Sequence, residues 1–403
     1  MPPNPTLERL ERTSEIPMQI ALFTYSTKPR GSVIHTLELA EALQHLGHTV
    51  CVYALDKDGS GFGRSLTCAY QPVQASAAPA AIDQLIQQRI QEFVTFLDGH
   101  LANYQYEIFH AQDCLSANAL AILRQQGKIP HFVRTVHHIE DYQSIYLQQC
   151  QQRSIEDADL CLCVSDYWQQ QLAQQYHIHA PRVVNGVNRD RFAAPLPNPQ
   201  PLRQQWGLTG TPVFLTVGGI EPRKNTLQLL NAFAQVRQTL PHAQLVIAGG
   251  ATLFDYQTYR EQCLQRMQDL ELEQAIVLPG VIPDADLPSL YRCADSFVFP
   301  SVKEGWGLVV LEALASGLPV IVSQQAPFTE FLTPEQALFV DPSNPDTIAQ
   351  AMLQSVQPQV AQALVQNSHT VLETYSWKTS ATMHINHYQG FTHARNALQN
   401  SMA

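Results

Sequence analysis

Two doubly wound α/β domains facing each other across a cleft are the fold that this chain of 403 residues predicts. The first reason is a repeated plan: a buried strand pattern at Ile20–Tyr25, a loop holding Gly31, a helical run HTLELAEALQHLGH and a second strand TVCVYA recur in the second half. There the copy is VFLTVGG, the loop IEPRKN, the helical run TLQLLNAFAQVRQTL and the strand AQLVIAGG. Each copy takes about thirty residues, the size of a β-α-β crossover. The second reason is that the strands are continuously apolar while the helices between them are amphipathic, the pattern of parallel sheets covered on both faces. The third is the segment AAPLPNPQP, whose prolines at 195, 197, 199 and 201 cannot join a sheet interior and make a natural linker.

Taken in order, residues 1–17 are charged and Pro-bearing without an apolar centre, so they read as a loose extension and not a signal peptide, with Met18 the expected working start. The first Rossmann-like domain is expected over 18–194, with YEIFHA, HFVRTV and DLCLCVS as its further strands. Residues 195–201 form the linker, and 202–375 the second Rossmann-like domain, adding AIVLPG, DSFVFPS, LPVIVS and ALFVD. Residues 376–403 read as a helical segment expected to pack back on the first domain. Ligands in such sheets lie at the C-terminal strand edges.

Composition narrows the functions. Asp plus Glu number 35 against 24 Lys plus Arg, a formal charge of −11, the wrong sign for a protein that grips nucleic acid. Apolar residues at 45% supply ample cores. No run approaches the ~18 apolar residues of a membrane-spanning helix. The eight cysteines show no zinc spacing, and Cys161 and Cys163 share one strand face, so a reducing cytoplasm is the expected compartment. Peripheral docking on a membrane stays open.

Chemistry concentrates in PSVKEGWGLVVLEALASGLPVIV, residues 300–322. A strand ends at Phe299, a loop carries Glu304, Gly305 and Gly307, and a helix runs from about Leu308 to Ser316, stopped by Gly317 and Pro319. Such a loop entering a helix offers backbone N–H groups and the positive dipole end to a phosphate. Glu304 and Glu312 stand eight residues apart, at most on the order of 12 Å at helical rise. They suit two sets of hydroxyls on either side of one diphosphate. The loop GGIEPRKN adds Arg223 and Lys224, cations able to stabilise a diphosphate leaving group.

The run EGWGLVVLEALASGLPV resembles the E-x7-E signature of the family 4 retaining glycosyltransferases, which have the GT-B fold. The resemblance extends over nearly all of the chain after Met18, including VVNGVNRDRF at 183–192 and LPGVIPDADLPSLYRCADSFVFPS at 278–301. It implies a retaining, hexosyl-transferring enzyme that uses a nucleotide-diphosphate sugar as co-substrate, with no other cofactor and no essential metal. By resemblance Glu304 binds donor-sugar hydroxyls, Glu312 the ribose, and backbone around Gly305, Trp306, Gly307 and Leu308 the phosphate or sugar. Lys224 and Glu304 carry catalysis, Gly31 lets backbone approach the donor, and Ile282 in the GVIP segment meets the base. The family's loop arginine is replaced by Gly219, with Arg223 the compensating candidate. In HAQD, where the family often has His-x-His-Asp, Gln112 replaces the second histidine.

His110, Gln112, Asp113, His137 and His138 follow apolar strands and are expected on the acceptor or sugar side of the cleft. Three Asp-x-Asp pairs (56/58, 157/159 and 284/286) have local explanations and are not read as metal sites. The acceptor class, whether sugar, lipid or small molecule, is not legible. The alternatives are a nucleotide-sugar epimerase or sugar phosphorylase on the same fold, or a binding protein that has lost catalysis.

Overall fold

The computed structural model describes residues 17–101, 104–193, 198–250 and 256–402. Two six-stranded sheets, parallel throughout, organise it. The first contains β1 (Gln19–Thr24), β2 (Thr49–Asp56), β3 (Ala69–Gln74), β4 (Ile108–Ala111), β5 (Val133–Val136) and β6 (Leu160–Cys163), in the order β3-β2-β1-β4-β5-β6. The second contains β7 (Val213–Val217), β8 (Gln244–Ala248), β9 (Ile276–Gly280), β10 (Ser296–Phe299), β11 (Val320–Ser323) and β12 (Leu338–Val340), in the order β12-β11-β10-β7-β8-β9. Both are doubly wound with the same order. The direction of winding reverses between β1 and β4 in one domain and between β7 and β10 in the other, which opens a crevice at each point.

Strand alternation explains the layering. Ile20 and Leu22 of β1 pack on one face, Ala21 and Phe23 on the other, and all four are fully buried. The first face is covered by the helix Gly31–His45 and by Trp377, Ala381, Ile385 and Tyr388 of the C-terminal helix Trp377–Met402. The chain thus ends on the first domain after building the second. β3 lies outside the strands expected from sequence. It is an edge strand in which Val73 alone is buried, and Pro72 is tolerated there because an edge needs fewer ladder donors.

Residues 1–16 and 194–197, which hold the expected extension and part of the linker, lie outside the described residues. The linker does not extend to 201 as expected: Gln200–Gln205 is helical, with Pro201 in the first turn, where a missing N–H costs nothing. Where the chain recrosses, Val187 N–H donates to Tyr375 O at 3.2 Å, and Gly186 lies flat against the start of the C-terminal helix. A Cβ there would sit 2.2 Å from Trp377 N and 2.3 Å from Ser376 C, both backbone. Gly186→Ala is therefore expected to destabilise the protein by about 2–3 kcal/mol through a clash that no rotamer relieves. A urea midpoint unchanged from wild type would refute this.

Candidate functional site

Glycines shape the second domain's crevice. β7 runs into Gly218 (φ 140°) and Gly219 (φ 77°), and β8 into Gly249 (φ 134°) and Gly250. A Cβ on Gly219 would lie 2.6 Å from Gly250 O. The loops thus touch backbone to backbone, and the position where the family has arginine has no room for a side chain. A Cβ on Gly218 would lie 2.6 Å from Lys224 Cε, so that glycine makes room for the lysine stem. Asn225 (φ 61°) pins the loop by donating to Pro300 O at 3.1 Å and Pro342 O at 2.6 Å.

Four charged groups meet in this crevice. Lys224 Nζ lies 2.6 Å and Arg223 Nη1 3.0 Å from Glu304 Oε1, while Arg223 Nε holds Glu221 Oε2 at 2.9 Å. Lys224 Nζ also sits 4.3 Å from the centre of the Phe299 ring. Burial, helped by Arg223, lowers the Lys224 ammonium to about 8 against the pull of Glu304. Burial alone would raise the Glu304 carboxyl, but Lys224 and Arg223 hold it below the usual carboxylate range. Both partners are charged at neutral pH. Arg30 Nη1, from the first domain, approaches Glu221 Oε1 at 4.0 Å across the cleft.

The loop holding Glu304 also touches the first domain. Trp168 Nε1 donates to Glu304 O at 3.1 Å, and a Cβ on Gly305 would lie 2.5 Å from His137 O. The Trp306 side chain is buried, stacked on Phe331 at 4.7 Å. Gly307 (φ 108°) opens the helix Leu308–Ala315 without a side-chain cap, and Leu308 is its first residue. Gly307, three residues after Glu304, thereby sits at the positive end of that helix.

Glu312 is buried about one turn along that helix, where Tyr291 Oη donates to its Oε2 at 2.9 Å. Burial raises its carboxyl to about 7, opposed by Tyr291 and Arg191 and reinforced by Asp284 and Glu38. Those neighbours form an interdomain network: Arg191 pairs with Asp284 at 2.8 Å and Arg64 with Glu38 at 2.7 Å. Sequence reasoning missed Tyr291 and this network. Ile282, expected at the base, has its side chain in the core, whereas Val281 beside it is 64% exposed.

On the first domain, Gly31 begins its helix, and a Cβ there would meet nothing within 4 Å, so packing does not demand glycine. Asp113 caps the helix Cys114–Gln125 by accepting from Ser116 N at 2.8 Å. His110 does not reach the cleft as expected. It is fully buried, with Nδ1 2.6 Å from Tyr388 Oη and Nε2 2.8 Å from Thr135 Oγ1, because the C-terminal helix covers its strand. Gln112 is buried between it and His137, whose Nε2 lies 3.2 Å from Gln112 Oε1. His138, half-exposed, pairs with Glu140 at 2.6 Å.

The Asp-x-Asp pairs are engaged locally: Asp58 with Lys28, Asp159 with Arg124, Asp284 with Arg191. Among the described residues no helix is long and apolar enough to cross a membrane.

Comparison with known proteins bears on both halves. Residues 29–191 match the family model described as Glycosyltransferase Family 4, and residues 200–368 the one described as Glycosyl transferases group 1. The chain is 29% identical over 255 residues to the O-antigen chain mannosyltransferase B of Escherichia coli, a stretch that covers 60% of this chain and 64% of that protein. The fold is shared with sucrose-phosphate synthase from Thermosynechococcus elongatus (TM-score 0.77, 24% identity, 94% of this chain and 100% of that one). It is shared as well with HepE from Anabaena, solved in complex with UDP-glucose (TM-score 0.76, 19% identity, 93% and 100%). With both domains matched in order along a GT-B architecture, the chain belongs to the family 4 glycosyltransferases.

Proposed function

We propose that this glycosyltransferase is a retaining, hexosyl-transferring enzyme whose donor is a nucleotide-diphosphate sugar and which needs no metal. The observation that carries the reading is Glu304 held jointly by Lys224 and Arg223 at the reversal of strand order between β7 and β10. Lys224, Arg223 and the backbone N–H groups that open the helix Leu308–Ala315 supply positive charge where a diphosphate departs. Arg223 takes the part that a side chain at Gly219 cannot. Glu304 accepts from hydroxyls of the donor sugar, Glu312 from the ribose, and backbone at 280–283 meets the base. HepE, solved with UDP-glucose on the same fold, supports this donor class.

In the reaction the bond from the sugar's anomeric carbon to the diphosphate oxygen breaks. The acceptor oxygen bonds to that carbon on the same face, and its proton passes to the departing phosphate. The chain contributes positioning and charge stabilisation. Proton NMR of the product is expected to show the donor's anomeric configuration, with a rate unchanged by a chelator. An inverted product or a chelator-sensitive rate would overturn the retaining or the metal-free half respectively.

A further inference from the structure

The loop that carries Glu304 is gripped from two sides. On the second domain, the short helix Phe328–Phe331 stacks Phe331 on Trp306, and a Cβ on Gly307 would lie 2.8 Å from Phe328 Cε1. On the first domain, Trp168 belongs to the helix Asp166–Tyr176 and gives its indole N–H to Glu304 O. Trp168 is 2% exposed, so an indole that lost this oxygen would be left with a buried, unpaired donor.

One side chain ties the two grips together. Glu330, between Phe328 and Phe331, sends its carboxylate across the domain boundary to the first turn of the helix Asp166–Tyr176. Its Oε2 accepts from Asp166 N at 2.7 Å and its Oε1 from Tyr167 N at 2.8 Å. These are N–H groups that a helix cannot satisfy itself, and a negative charge there is favoured by the helix dipole. Ser165 Oγ accepts the next one, from Trp168 N at 3.2 Å. Trp168 therefore directly follows the two residues that Glu330 holds. The Asp166 carboxylate repels Glu330, and Arg182, whose Nε pairs with Asp166 at 3.1 Å, offsets it. A second cross-domain tie lies next to Glu304, where Lys303 Nζ meets Asp141 Oδ2 at 2.5 Å. The Asp141 side chain is 84% exposed, and so wet a pair contributes little. Two charge-assisted hydrogen bonds from one carboxylate make Glu330 the firmer joint.

Building on the transferase reading of Glu304, we propose that Glu330 is a positioning residue for the transfer reaction. By clamping the first turn of the helix Asp166–Tyr176 to the second domain, it keeps Trp168 against Glu304 O and so fixes the Glu304 carboxylate at the donor sugar. The test uses the intact chain. Proton–nitrogen NMR of its four tryptophan indoles reads the clamp without any donor, the Trp168 signal being identified by its loss in Trp168→Phe. In Glu330→Ala the Trp168 indole N–H is expected to exchange with solvent at least ~10-fold faster. The Trp206 indole, also buried, keeps its rate, whereas a general loss of stability would speed both. In transfer assays Glu330→Ala lowers kcat by ~10- to 100-fold, the scale of a small misplacement at a reacting centre, and changes the donor KM by less than ~3-fold. Glu330→Gln, which keeps one accepting oxygen and the same reach, loses less. In a Trp168→Phe background Glu330→Ala costs under ~3-fold more, because the path it acts through is already gone. A Trp168 exchange rate unchanged in Glu330→Ala, or losses that multiply in the double variant, would overturn the clamp and leave the transferase reading standing if Glu304→Ala is still impaired. If Glu304→Ala transfers at full rate, the donor role of Glu304 falls, and the positioning role with it, whatever the exchange shows.

Discussion

Lys224→Ala lowers the transfer rate at least ~100-fold, the scale of losing one preorganised electrostatic contact to a developing charge. The lysine is fixed before any donor arrives: its stem lies over Gly218, its ammonium over the Phe299 ring, and Glu304 anchors it at 2.6 Å. Glu304→Ala gives a loss of the same order by another route, because it strands a buried ammonium beside Arg223 and removes the acceptor for sugar hydroxyls. The double variant is then no worse than about either single one, since each change already dismantles the same unit. With Lys224 lowered to about 8, the ammonium is present below that pH and lost above it. The wild-type rate therefore declines as pH rises through about 8, a limb that Lys224→Ala abolishes. Single-turnover rates over pH 6–10 check both statements; full activity in Lys224→Ala, or a flat alkaline limb in wild type, would remove Lys224 from the chemistry.

The physical reach of each signal explains what the sequence disclosed. β7, β8 and β10 are mostly apolar, with Thr216, Gln244 and Ser296 the exceptions, and are buried on both faces, so their strand character is local and visible. β3 is half-exposed, alternates irregularly and carries Pro72, so it exists through pairing with β2, which no window of residues reports. The loop and helix that carry Glu304 and Glu312 are contiguous, and their spacing could be read directly. The Arg64–Asp284 and Arg191–Asp284 pairs join residues from both domains, and Tyr291 reaches Glu312 from another helix. Their sequence neighbourhoods look like ordinary charged surface. His110 shows the converse: a polar residue at a strand end suggests a cleft, but the strand pattern cannot say that a helix more than 260 residues later will roof it.

That roof makes the second large prediction, a loss of stability in mild acid. His35, His110, His137 and His384 are packed together, with ring centres 4.6 Å apart for His35 and His137, 5.7 Å for His110 and His384, and 5.9 Å for His35 and His384. Burial lowers His35 to about 4, its hydrogen bond to Asn185 opposing only part of this, while burial and then the neighbouring imidazoles lower His384 to about 3 and push His110 and His137 well below their usual value. Arg134 and His387 add repulsion, whereas Tyr388 offers a neutral hydroxyl. The unfolded chain binds protons from about pH 6.5 downward that the folded chain refuses, so the stabilisation is complete above that pH and drains as pH falls toward 4. Each histidine contributes a slope of at most about 1.4 kcal/mol per pH unit. Glu312 acts in the opposite sense, because its raised folded value lets the native state gain a proton between about 7 and its unfolded range. Burial also raises Asp113 and Glu330 in that sense, but it lowers His131 and His387 in the other, so the histidines prevail. Several kcal/mol are expected to disappear between pH 6.5 and 5, against a total stability of roughly 5–15 kcal/mol. Ordinary carboxylates titrate below that window and leave the histidine contribution readable. His384→Phe reduces the slope by about one proton, since the ring at that position no longer titrates. Urea midpoints that stay level from pH 7 to 5, or a His384→Phe slope equal to wild type, would mean that the C-terminal helix is not held to the first domain by neutral imidazoles.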